Sequence, residues 1–544
     1  MSPFGLPPTS RDHAPEFTTA AECKTWLAAT PLTQPAAAQA RLLKALHLLD
    51  AYTLPLTERL TMLELLRGPV TEVQEASLKR FAGKPLPLLA AEEDAFLANC
   101  NLWKALRSGY LRGVDECLGT AARGKLDAAL TTQRTLTLMT QLQMDIYRAG
   151  HQPDGEHWRL LHGLLLAAEQ LQVMTTPVAD PLRNGSTPTT ASAAYVEALL
   201  VHATSPHELS PRRLAWIARW ARRWGAKVNV LADPPTLSTR AIPLCVYVTS
   251  DRPAGYLPQG NGEARWLETA DLRRSLKQRL VLLSEGRAPA DLQLGSDCTQ
   301  PACGELLKLV YQRWCKGGAV RHSERHASTA TCGFVTGLDG IHYYVAGRKP
   351  FKQPGNASDD TLRRQRDEIA TFGRISTRDE EDYSRQHELQ VEQWQVEEDW
   401  HVKDESVDGL RISRPLHQEG HRLAQGQLVA VRTAHAKHYL LGQARWVMFE
   451  GADRLSAGIA IIPGQPEAVA LRGTGVAAIR EPYHQGLLLP ALAALNSPAS
   501  VILPSGWFRR EGVLEVFTDR ARQIRLTQLL DRGSDYERAS FVYV

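Results

Sequence analysis

Asp404-Glu405-Ser406-Val407-Asp408-Gly409 follows a strand-like run and leads straight into Leu410-Arg411-Ile412. The pattern is D-x-S-x-x-G on a β background. Beyond residue 387 nearly everything reads as strand. Leu389 and Val391 alternate, then Trp394 and Val396 alternate in the other phase. A slip of that kind predicts a β-bulge or a change of face. Strand-like runs continue at 428–432, 439–449, 458–462, 469–471, 500–503 and 513–517. Short strands this closely spaced predict a small barrel.

Upstream the texture changes twice. Residues 351–387 begin turn-rich and then carry a polar helical pattern at 359–371, which reads as a charged linker. Residues 226–350 alternate β-rich stretches (228–230, 244–248, 332–335, 341–345) with helical ones (269–284, 304–314). Residues 16–225 are helical in pattern. Ala38, Leu42, Ala45, Leu46 and Leu49 recur at three and four, as do Leu138, Met139, Leu142 and Ile146. The expected organisation is multidomain α+β. It has an α-helical domain at 1–225, a mixed α/β unit at 226–350, a linker at 351–387, and a small antiparallel β-barrel with a β extension at 388–544.

The chain has 544 residues, 43% apolar and 22% charged, which fits globular domains. Lys+Arg number 63 and Asp+Glu 59, a net charge of +4, so a binder of nucleic-acid polymer is not expected. Eight irregularly spaced cysteines do not read as a disulfide framework. Residues 1–15 lack the apolar segment of a signal peptide, and no 18-residue apolar run predicts a membrane span. The expected address is the cytoplasm.

Two arginine pairs accompany the D-x-S-x-x-G stretch. Arg374-Ile375-Ser376-Thr377-Arg378 ends 26 residues before Asp404, and Arg321-His322-Ser323-Glu324-Arg325 lies further upstream. Two guanidiniums one turn apart present planar forks that grip phosphate or stack on a purine. A carboxylate accepts from the N–H edge of guanine, a serine hydroxyl adds a hydrogen bond, and glycine allows close backbone approach. The set Arg374, Arg378, Asp404, Ser406 and Gly409 suits a guanine nucleotide with phosphates and no Mg²⁺.

The arrangement resembles the PilZ domain, the bacterial receptor module for cyclic di-GMP. Gly426-Gln427-Leu428-Val429-Ala430-Val431 resembles the family's G-x-x-V stretch. The runs 441–447 and 457–462 resemble its closing strands, and the resemblance spans about residues 371–475. It implies that Arg374 and Arg378 hold phosphate and guanine while Asp404, Ser406 and Gly409 bind the second guanine face. The family's arginine pair usually lies just before the first strand. Here Asp379-Glu380-Glu381-Asp382 follows the pair and opposes an anion unless it points away. Arg363, Arg364, Arg366 and Arg385 are the alternatives. No D-x-S-x-x-G follows Arg321–Arg325 at a family-like distance, so that pair reads as a degenerate PilZ-like barrel that packs without binding, as one that lends an arginine to a neighbour, or as a basic surface turn.

Other signals have plain readings. Cys298, Cys303 and Cys315 near His322 and His326 lack a second tight pair, so a thiol set is favoured over zinc. His417, His421, His435 and His438 read as loop histidines. Trp216, Trp220 and Trp224, at i, i+4 and i+8 among arginines, read as a core stripe. No nucleotide-hydrolase, serine-hydrolase, zinc-protease or kinase motif is present, so no catalytic residue, metal or cofactor is expected. The expected role is a non-enzymatic effector that binds cyclic di-GMP and reports to a protein partner through its helical half. The alternative is a PilZ-like scaffold that binds no ligand.

Overall fold

The computed structural model describes residues 4–119, 124–183, 188–235, 242–256, 262–317, 324–354, 370, 398–434, 436–474 and 482–544. The chain divides into two compact units, Met1–Lys84 with Leu88–Arg321 and Pro85–Pro87 with His322–Val544.

In the first unit, eight helices come first: α1 (Ala20–Ala28), α2 (Pro35–Ala51), α3 (Leu56–Ser77), α4 (Ala90–Gly119), α5 (Lys125–Arg148), α6 (Gly155–Gln170), α7 (Ala191–Ala203) and α8 (Pro211–Trp224). Local chemistry sets several starts. Thr19 and Glu22 form a capping box on α1. Asp154, Thr190 and Ser210 cap α6, α7 and α8 by accepting the amide three residues on. The strands β1 (Asn229–Leu231), β2 (Leu244–Tyr247) and β3 (Ala264–Glu268) form an antiparallel sheet with β3 central. Helices α9 (Ala270–Ser284) and α10 (Ala302–Cys315) complete the unit.

The core does not stop at residue 225. One hydrophobic cluster runs from Phe17 to Cys315, and α8 explains why. Trp216, Trp220 and Trp224 are all buried, as a core stripe should be. Trp216 Nε1 donates to Asp297 Oδ2 at 2.7 Å, and Trp220 Nε1 donates to the Leu294 carbonyl at 2.9 Å. Trp224 meets Trp314 of α10 edge-on at 6.3 Å. The arginines of the helix stay at the rim, with Arg212, one turn before Trp216, over that ring at 5.0 Å. The sheet β1–β3 and helices α9 and α10 therefore pack as part of the helical unit. Cys298 and Cys303 are disulfide-bonded, a pairing that their irregular spacing does not announce.

The second unit contains β4 (His326–Ala327), β5 (Thr331–Thr336), α11 (Leu338–Val345), β6 (Glu398–Ser406), β7 (Gly409–Pro415), β8 (Leu428–Thr433), β9 (Leu440–Glu450) and β10 (Arg454–Ile461). The strand order is β4-β6-β5-β8-β9-β10-β7, and an added β6–β7 pairing closes the ring. The β extension is a second closed barrel. Its strands β11 (Glu467–Gly473), β12 (His484–Leu489), β13 (Ser500–Pro504), β14 (Val513–Phe517), β15 (Ala521–Arg532) and β16 (Tyr536–Tyr543) run in the order β11-β12-β13-β16-β15-β14. A cluster including Val335, Ile341, Tyr344, Leu441, Leu487 and Tyr536 joins the two barrels through α11.

Three expectations change. The strand at 332–335 belongs to the barrel of the D-x-S-x-x-G hairpin, since β5 pairs with β6 and β8. The stretch 341–345 is helix, because Gly340 to Tyr344 is buried throughout and an all-round apolar run carries no period to separate helix from strand. The phase slip at 389–396 and, apart from Ala370, the polar helix at 359–371 lie outside the described residues. Among the described residues, no helix is long and apolar enough to cross a membrane.

Trp220→Ala removes a fully buried indole from the core shared by both halves of the first unit. A loss of about 3–5 kcal/mol is expected in urea denaturation, with both halves unfolding in one transition. Burial also holds the imidazoles of His157 and His202 down at about 3 and about 4. The unfolded chain then binds more protons below about pH 6.5, so stability falls as pH drops from 6.5 toward 4, by at most about 1.4 kcal/mol per pH unit per histidine. Urea midpoints at pH 7 and 5 test this, with a shallower fall in His157→Gln/His202→Gln.

Candidate functional site

The D-x-S-x-x-G stretch is a β-hairpin. Ser406 faces Gly409 in the ladder, leaving Val407 and Asp408 as the two-residue turn. Val407 is largely exposed. The approach to the turn is irregular. Val402 pairs with Ile412 but Asp404 pairs with Arg411, so Lys403 is an extra residue in β6. Paired residues share a face and neighbours alternate. The bulge therefore turns Asp404 and Ser406 away from the face that holds Val402 and Ile412, both buried. Asp404 and Ser406 are half-buried on the outer face.

The same face continues across the sheet. Asp404 pairs with Arg411, Arg411 with Gly458 of β10, and Gly458 with Trp446 of β9. A Cβ at Gly458 would collide with the Trp446 indole, so the ring lies over the glycine beside Arg411. Arg411 Nη2 donates to Glu450 Oε1 at 2.8 Å. Gly409 has a packing reason of its own, since a Cβ there would strike the Ile459 carbonyl of β10. Ser406 Oγ donates to the Gly409 carbonyl at 3.3 Å.

Among the described residues, Arg325 reaches this hairpin from just before another strand. Strand β4 starts at the next residue and runs beside β6, with His326 opposite Glu405 and Ala327 opposite Asp404. Arg325 Nη1 donates to Asp404 Oδ1. The second R-x-x-x-R, read as a degenerate element, a lender of an arginine or a basic turn, thus ends against the D-x-S-x-x-G hairpin and immediately precedes a strand of its barrel. Arg374 and Arg378 lie outside the described residues, as do Arg321, Arg363, Arg364, Arg366 and Arg385. The missed signal was position relative to a strand. Arg325 and Asp404 are 79 residues apart, and closing a longer loop costs little extra entropy.

Among the described residues no group of three or more histidines, cysteines or carboxylates is arranged to hold a metal. His421 is engaged elsewhere, with Nδ1 2.9 Å from Glu398 Oε1.

The stretch that carries both arginine pairs and the hairpin matches a PilZ-domain model over residues 244–419, so the chain contains a PilZ-type domain. Three models of one family match the chain in order. The N-terminal domain of the cyclic-di-GMP receptor FimW matches residues 21–235, its middle PilZ domain 244–419, and its C-terminal β-barrel domain 469–544. The chain is similar to the cyclic-di-GMP receptor FimW of Pseudomonas aeruginosa (strain PAO1), with 23% identity over 526 residues, covering 89% of this chain and 83% of that relative. The middle match includes both arginine pairs and the hairpin, while the described barrel runs on through β10 to Ile461.

Gly409→Ala forces a side chain against the β10 backbone. A loss of about 1–3 kcal/mol is expected in thermal or urea unfolding, whereas Val407→Ala, at the exposed turn, is expected to change stability by less than about 0.5 kcal/mol.

Proposed function

We propose that this protein is a cytoplasmic cyclic di-GMP receptor that works by binding and relay, without catalysis or a cofactor. The observation that carries the reading is the meeting of Arg325 with Asp404 on the outer face of the barrel. Arg325 and its partner Arg321 grip phosphate and guanine. Asp404 and Ser406 take the N–H edge of a guanine, and Gly409 lets the hairpin lie flat against β10. Trp446 beside Arg411 offers an aromatic face on the same surface.

The energetics suit exchange. Arg325 and Asp404 have side-chain exposures of 39% and 22%. A pair that open to water contributes at most about 1 kcal/mol. A phosphate brings charge-assisted hydrogen bonds of about 1.5–3 kcal/mol each. Ligand phosphate therefore displaces the carboxylate from the guanidinium, and the carboxylate is released to the base.

The relay follows from chain order. The last stretch of the first unit ends at Arg321, and the main stretch of the second follows from His322. A ligand that grips Arg325 and Asp404 holds β4 against β6 within the second unit. It favours whichever arrangement of that segment it binds more tightly. The helical unit, with its own core, is the part proposed to meet a protein partner.

Isothermal titration of the full chain with cyclic di-GMP, alongside GTP and cyclic di-AMP, tests this. Binding of cyclic di-GMP alone is expected, weakened at least tenfold in Arg321→Ala/Arg325→Ala and in Asp404→Ala/Ser406→Ala. If Arg374→Ala/Arg378→Ala abolishes binding while the 321/325 variant retains it, the phosphate ligands are the later pair. No binding by folded wild type leaves the scaffold reading.

A further inference from the structure

The tripeptide Pro85-Leu86-Pro87 belongs to the second unit, although Lys84 before it and Leu88 after it belong to the first. Proline has a fixed φ and no amide hydrogen, so the stretch is stiff and offers one backbone donor, that of Leu86. The Leu86 amide donates to the Leu423 carbonyl at 2.9 Å, and the Leu423 amide donates back to the Leu86 carbonyl at 2.7 Å. Arg422 closes its fork on the Pro85 carbonyl, with Nε at 3.0 Å and Nη2 at 2.6 Å. Leu86 and Leu423 are both buried. Together these bonds make one antiparallel rung with a charge-assisted latch beside it.

The barrel side of the rung is fixed to β6. Residues 421–423 lie in the connection between β7 and β8. The His421 amide donates to Glu398 Oε1, and Arg414 Nη2 donates to the His421 carbonyl at 3.2 Å. Glu398 opens β6 and, like Arg414, is buried. The strand that displays Asp404 and Ser406 at its far end therefore anchors, at its near end, the residue two positions before Leu423.

The flanks of the tripeptide are fixed to the helices. Phe81 is buried in the hydrophobic core of the first unit, and Leu88 packs against that core. The Gly83 amide donates to the Arg148 carbonyl at the end of α5, at 3.0 Å. Leu89 starts α4: its carbonyl accepts the amides of Glu92 and Glu93 at 2.8 and 2.9 Å, and its amide donates to Glu92 Oε2 at 2.9 Å. Lys84 and Leu88 are the one-residue spacers between these anchors and the tripeptide, which leaves little slack.

We propose that Pro85–Pro87 is a coupling strap, through which a change of order in β6 and the β7–β8 connection reaches the ends of α3 and α4. Docked, the strap has one amide and two carbonyls satisfied by residues 422 and 423. Undocked, it gives Leu86 and those groups to water, so the two states are discrete and either unit can bias them. Transmission of a ligand's effect rests on the receptor function proposed above, whereas the coupling itself does not.

Hydrogen exchange of the full chain, read by mass spectrometry, tests the strap. Arg422→Ala is expected to speed exchange at Leu86 and Leu423, and also at the helix ends in residues 75–84 and 88–95, by roughly three- to tenfold. Leu86→Ala loosens the rung from the other side and is expected to act alike, which covers the case that Arg422→Ala impairs the barrel. Faster exchange confined to 85–87 and 421–423 in both variants, with the helix ends unchanged, overturns the proposal. With saturating cyclic di-GMP, the wild-type helix ends are expected to exchange at least about threefold more slowly, and those of Arg422→Ala to stay unchanged although the ligand binds. Binding to wild type without a response at the helix ends overturns transmission through the strap. Absence of binding overturns the receptor function instead, and the two ligand-free variants then decide the coupling.

Discussion

The site depends on one strand and one extra residue in it. Strand β6 pairs with β4 and β5 along one edge and with β7 along the other. Up to Val402 it is an anchor. Trp400 is fully buried, its ring 4.9 Å from that of Phe334, and its Nε1 donates to Glu398 Oε2 at 3.0 Å. After Lys403 the same strand becomes a display, with Asp404 and Ser406 turned outward. Without the inserted residue the period of two would carry Asp404 to the face of Trp400 and Val402, where an ionised carboxylate is costly. The bulge lets one strand both hold the barrel and present polar chemistry.

Two kinds of charge pairing sit close together in this barrel and serve different ends. Glu398 and Arg414 are almost wholly buried, with Arg414 Nε 3.7 Å from Glu398 Oε2 and the guanidinium 5.4 Å over the Trp400 ring. Burial pulls the Arg414 pKa down, opposed by the Glu398 charge. Removing either partner there leaves an uncompensated buried charge, so the pair is part of the scaffold. Arg325 and Asp404 keep side-chain exposures of 39% and 22%, so water competes for their charges as it does not for those of Glu398 and Arg414.

The hairpin and the barrel around it were legible because their signals are local: a turn pattern on alternating strands. The strands at 428–433 and 440–450 are short stretches rich in Leu, Val, Trp and Phe, set off by turn residues such as Gly426 and Gly451. Arg325 was legible only as an arginine that its segment could lend to a neighbour, because spacing along the chain says nothing of which strand edge a segment joins. Its neighbour β4 is two residues long and exposed, with no pattern to read. Strand β15 was missed for a related reason. Its burial alternates only around Ile524 and Leu526 and then weakens through two register shifts. The tryptophans of α8 announced a buried stripe but not its partners, since Asp297, Leu294 and Trp314 lie 74 to 90 residues away.

The length of β4 bears on how such a site can signal. Its ladder to β6 consists of two residue pairs, the shortest in the barrel. A segment held by so few backbone bonds opens at low free-energy cost compared with the long ladders of β9 and β10. Under the proposed function, a ligand spanning Arg325 and Asp404 would tie β4 to β6 through side chains as well as backbone. The gain in order would be large for a two-pair ladder and small for the long ladders of β9 and β10, so the binding free energy would be spent on β4 with the rest of the barrel as its fixed support.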